Sequence, residues 1–117
     1  MTWLRVAALA GFLGVLLGAF GAHSLREQLE TAGRKGIWET AVLYQLLHAV
    51  VLLVIARWSG VEVARWAILI GILLFSGSLY ILCLTGIKPL GAITPLGGIS
   101  FLIGWLWLFL KAKEIHS

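Results

Sequence analysis

The sequence predicts an all-α integral membrane protein, a four-transmembrane-helix up-down bundle forming a single membrane domain over 1–117. Two observations carry this. Only 12% of the residues are charged and 61% are hydrophobic, against about 25% charged in a soluble domain. The apolar residues also fall in four long blocks, and only helices or closed barrels satisfy their backbone in lipid.

The first span is read from about Val6 to Leu25. Arg5 ahead of an apolar run gives this segment some likeness to a signal peptide. A cut after Ala22 would put bulky Phe20 at the −3 position, so a retained helix is expected. The second span runs from about Glu39 to Ala56, the third from about Trp66 to Thr85 and the fourth from about Pro95 to Leu110. Each is about 24 to 30 Å long at 1.5 Å per residue. Thr94-Pro95 is expected to start the fourth span as a hydroxyl N-cap followed by proline. The segment 26–38 should be a short interfacial helix broken near Gly33 or Gly36, with Arg26/Glu30 and Glu30/Arg34 as i,i+4 pairs.

The tryptophans support these boundaries. Trp3, Trp58, Trp66, Trp105 and Trp107 lie toward the face that carries both termini, and Trp38 toward the other, as an aromatic belt requires. Arg5, Arg57, Arg65, Lys111 and Lys113 stand on the termini side, against Arg26, Arg34, Lys35 and Lys88 opposite. That count, five to four, favours cytoplasmic termini in a bacterial inner membrane.

Two patterns stand out inside the spans. The first span carries Ala7, Gly11, Gly14, Gly18 and Gly21 at helical spacing, so small residues line one face. Such a face brings a neighbouring backbone close, within the chain or in a homo-oligomer. The second pattern is polar: His23, Tyr44, Gln45, His48, Ser76, Ser78, Tyr80 and Thr94, all assigned to the half away from the termini. Counting depth from Glu39 and Thr85 makes His48 level with Ser76 and Tyr44 level with Tyr80. His48 is then expected to bond Ser76 or Tyr80, with Gly18 leaving room for it. The group reads either as interhelical hydrogen bonding or as a polar cavity between the first three spans.

Chemistry-bearing motifs are few. No CxxC, HExxH, phosphate loop or nucleophile elbow occurs. His23 and His48 differ in depth, which speaks against a shared haem or zinc, so no cofactor, metal or catalytic residue is expected. The scattered basic residues form no stripe for nucleic acid and suit lipid headgroups instead. Cys83 alone can form no internal disulfide and should simply pack.

Gly-Ala-Phe-Gly-Ala-His at 18–23, Trp-Glu-Thr-Ala at 38–41, Tyr-Gln-x-x-His at 44–48, Phe-Ser-Gly-Ser-Leu-Tyr at 75–80, Thr-Gly at 85–86 and Ile-Thr-Pro-x-Gly-Gly at 93–98 form an ordered set. Together they resemble the YgdD-like family of small bacterial inner-membrane proteins, which has related eukaryotic transmembrane proteins. The resemblance implies a multi-pass membrane protein without assigned catalytic residues. The function expected is non-enzymatic binding of membrane lipids or a partner protein. The rival expectation is a small-solute permease or channel.

Overall fold

Local capping decides where the first helix begins. In the computed structural model, which describes residues 2–117, Thr2 takes extended backbone and its hydroxyl accepts from Arg5 N–H at 3.2 Å. Helix α1 therefore starts at Trp3, before the expected Val6, and runs to Ala22. The interfacial helix α2 is Arg26–Thr31, and Gly33 ends it at φ +70°, a backbone state that glycine adopts without strain. Helix α3, Lys35–Ile55, begins a turn ahead of the expected Glu39. Helix α4 spans Glu62–Thr85; Gly86 closes it at φ +72°, donating its N–H back to Leu82. A 3-10 turn at Lys88–Ala92 leads into helix α5, Thr94–Leu110. Thr94 lies inside that helix rather than capping it, because its hydroxyl is engaged with Ser78 at 2.6 Å.

Among the described residues four helices are long and apolar enough to cross a membrane. They alternate in direction. The start of α1, the α3–α4 turn and the end of α5 share one end of the molecule: the Trp3 and Trp66 rings meet edge to face at 5.0 Å, and Ser59 pairs with His116 through backbone hydrogen bonds. The main seams join α1 to α3 and α4 to α5, with α3 and α4 packed together between them. Half of the α4 span is buried and 33% of α3, against 17% of each outer span. The arrangement is thus a row, with grooves left between the outer helices and the central pair.

Small residues set the seams. A Cβ on Gly14 would stand 2.6 Å from Leu46 Cδ2, one on Gly18 3.2 Å from Val42 Cγ1, and one on Gly21 would collide with the Trp38 indole. These glycines face α3. Gly11 departs from the expected stripe, for nothing lies within 4 Å of its would-be Cβ. A second close seam, not read from the sequence, joins α5 to α4. A Cβ at Gly97 would strike the backbone of Phe75, and one at Gly104 would stand 2.9 Å from Ile68 Cγ1. Between them Ser100 donates to Ala67 O at 2.6 Å. The α4 backbone widens into a π-helical turn over Ile72–Ser76, the stretch that Gly97 approaches.

Candidate functional site: an interhelical polar network and its flanking grooves

The network is built from side chains that reach a neighbouring helix. Gln45, buried on α3, donates Nε2 to Ala10 O on α1 at 2.8 Å and accepts the Tyr80 hydroxyl of α4 on Oε1 at 2.6 Å. One amide therefore ties three helices. Trp38 donates its indole N–H to Leu17 O at 2.9 Å and packs edge to face with Tyr80 at 4.9 Å. Only 2% exposed, Trp38 is a core residue rather than a member of the aromatic belt; the room left by Gly21 receives its ring. Ser76 donates to Ala41 O at 2.8 Å.

His48 does not bond Ser76 or Tyr80. Because α3 starts at Lys35, His48 lies about 20 Å from that end and past the middle of the helix, toward the termini. Its Nε2 accepts the Trp105 indole N–H of α5 at 3.0 Å, and its Nδ1 lies 2.7 Å from Tyr44 O. An indole only donates, so this pattern assigns the Nδ1–H tautomer. The ring stacks on Phe101 at 3.7 Å, beside Tyr44 and Phe75. Gly18, expected to make room for His48, faces Val42 instead.

The sequence-derived set thus separates into three groups. Gln45, Ser76 and Tyr80 bind α1, α3 and α4 together; Ser78 and Thr94 join α4 to α5; Tyr44 and His48 face α5. His23 stands apart, exposed at the C-terminal end of α1. Among the described residues no three potential metal ligands come together.

Two arginines belong to the network although they were read only as interfacial charges. Arg65 is 7% exposed; its Nη1 donates to Trp58 O at 2.8 Å and to Ile55 O at 3.2 Å, its Nη2 meets Glu62 Oε1 at 3.3 Å, and Trp3 lies over its guanidinium. Arg34 donates to Cys83 O at 3.2 Å. Each guanidinium thus sits at the C-terminal end of a neighbouring helix, where the unpaired carbonyls favour a cation. Arg34 is unavailable to Glu30, which pairs with Arg26 at 3.0 Å and Lys35 at 3.4 Å. Those two bonds hold the Glu30 carboxyl below its ordinary range. Cys83 is buried and packs, as its sequence context implies.

Three grooves flank this network. One of about 320 Å³ lies between α1 and α4 over Gln45, and one of about 470 Å³ between α3 and α5 beside His48. The largest, about 690 Å³, runs between α1 and α3 below Arg26 and Lys35. Their walls are mainly apolar side chains.

These features define a small four-span membrane protein whose buried polar groups serve its own helix contacts. The chain belongs to the family described as Protein of unknown function (DUF423), whose model matches residues 17–98. A UPF0382 membrane protein of Staphylococcus epidermidis is 47% identical, covering 96% of this chain and 95% of its own length. The UPF0382 membrane protein YwdK of Bacillus subtilis is 45% identical, covering 96% of each chain. A UPF0382 membrane protein of Haemophilus influenzae is 42% identical over 91% of this chain and 89% of its own. No solved structure matches the chain.

Proposed function

We propose that this protein is a non-enzymatic, multi-pass protein of the bacterial inner membrane that binds lipid in its lateral grooves. The observation that carries this reading is the division of labour between polar and apolar surface. Among the described residues, Arg65 Nε is the one buried side-chain nitrogen or oxygen without a hydrogen-bond partner. A transport cavity needs polar groups free to replace a solute's hydration, and here Gln45, Tyr80, Ser76 and His48 bond to helices. The grooves have the opposite character, with apolar walls that suit acyl chains. The permease or channel reading has less support for the same reason. Kinship with YgdD-like and eukaryotic transmembrane proteins, and cytoplasmic termini, belong to this proposal.

Native mass spectrometry of the protein extracted in mild detergent tests it. Lipid adducts should persist at collision energies that strip detergent. A spectrum with no retained lipid, together with solute flux in liposomes, would favour the permease instead.

A further inference from the structure

We infer that the groove between α1 and the first turns of α3 is a site for one phospholipid. Arg26 and Lys35 would hold its phosphate, and an acyl chain would lie along the wall below. The inference rests on the lipid-binding reading and adds the place and the headgroup chemistry. The groove is amphiphilic along its length. Its mouth carries Arg26, from the interfacial helix α2, and Lys35, at the start of α3. Its walls are Gly18 and Ala22 on one side and Val42 and Leu46 on the other. Charge at the interface above an apolar wall in the membrane is the polarity of a phospholipid.

The two cations already converge on one oxygen. Glu30 Oε1 lies 3.0 Å from Arg26 Nε and 3.4 Å from Lys35 Nζ. That carboxylate shows that both side chains reach a shared anionic atom at the groove mouth. Donors remain. Arg26 bonds through Nε alone, leaving both Nη groups without a partner among the described residues, and an ammonium offers three hydrogens. A guanidinium fork suits a phosphate. Glu39, 4.0 Å from Lys35, and Glu30 balance the two cations, so the phosphate would take the place of the Glu30 carboxylate between Arg26 and Lys35. A soluble anion would gain nothing from the apolar wall, which favours a lipid as occupant. The other two grooves that flank the network carry no charged side chain.

Titration of the full-length protein in detergent with phosphatidylglycerol, diacylglycerol of the same chains, and glycerol phosphate tests the site by native mass spectrometry. Phosphatidylglycerol should bind at least ten-fold more tightly than either of the others. Joint Arg26→Gln and Lys35→Gln replacement should weaken it about 25-fold, taking about five-fold per basic side chain. Ala22→Leu should also weaken it by filling the groove, whereas Arg5→Gln with Lys113→Gln, at the other end, should not. Glu30→Gln should strengthen binding by removing the competing carboxylate, a gain that a merely structural role would not give. Equal binding of phosphatidylglycerol and diacylglycerol, or equal affinity in the double variant, would overturn the headgroup site yet leave lipid binding standing. Equal binding of glycerol phosphate would make it a soluble-anion site. Failure of the wild-type protein to bind any lipid would remove both readings.

Discussion

A single amide, Gln45, shows how much one residue does in this membrane. Its oxygen and nitrogen each meet a different helix, so an apolar replacement would lose both bonds at once and take from the Tyr80 hydroxyl its acceptor. Intramembrane hydrogen bonds contribute about 0.6 kcal/mol on average and up to about 1.7. Tyr80→Phe should therefore lower stability by about 0.6 kcal/mol and Gln45→Leu by roughly twice that. Unfolding measured for both single variants and the double variant should give less than the sum of the single losses, and simple additivity would argue against the contact. The same cycle on His48→Leu and Trp105→Phe should show coupling, whereas His48→Leu with Ser76→Ala should not. Coupling to Ser76 would contradict the structure and restore the partner expected from depth. The polar residues were legible because ionisable and amide groups in hydrocarbon are conspicuous. Their partners were not, because most acceptors are backbone carbonyls, which every residue possesses.

At the scale of elements, spacing identified the glycine face of α1 but not how tightly each position is filled. The consequence is a graded series. Gly97→Ala should be the most damaging, since its Cβ meets the Phe75 backbone and not a movable side-chain end. Overpacking of this kind costs about 1–3 kcal/mol. Gly14→Ala should be milder, because Leu46 Cδ2 can shift, and Gly11→Ala should cost nothing in packing. Thermal unfolding in detergent measures the order; a Gly11 variant as unstable as the Gly97 variant would refute it. The seam on α5 went unread because Gly97, Ser100 and Gly104 are mixed in type, and Gly97 fits against the π turn of α4. Nothing in the stretch Ile-Leu-Leu-Phe-Ser announces that turn. The interfacial helix α2 carries a pH prediction. Arg26 and Lys35 depress Glu30 below its ordinary value of 4.5. Its contribution is therefore complete above that value and lost as pH falls through the lowered one. The protection of the α2 amides, relative to their intrinsic exchange at each pH, should fall in acid, and Glu30→Gln should abolish that fall.

The whole molecule is a row of four spans with the start of α1 and the end of α5 on one face. Reporter fusions at the two termini should report one compartment, the cytoplasm by the basic count; opposite compartments would refute the four-span topology. The sequence by itself determined the number of spans, the helical class and the identity of the unusual residues inside the membrane. Those depend on hydropathy over about 20 residues and on the rule that lipid leaves no backbone group unpaired. Tertiary structure alone decided that α3 and α4 form the centre, that His48 turns to Trp105, and that Arg34 and Arg65 close helix ends. It also buried Trp38, against its expected place in the belt. The physical reason is that depth along a helix shifts by 1.5 Å per residue and direction around it by about 100°. A helix start misplaced by four residues, like that of α3, leaves the class untouched and changes every neighbour.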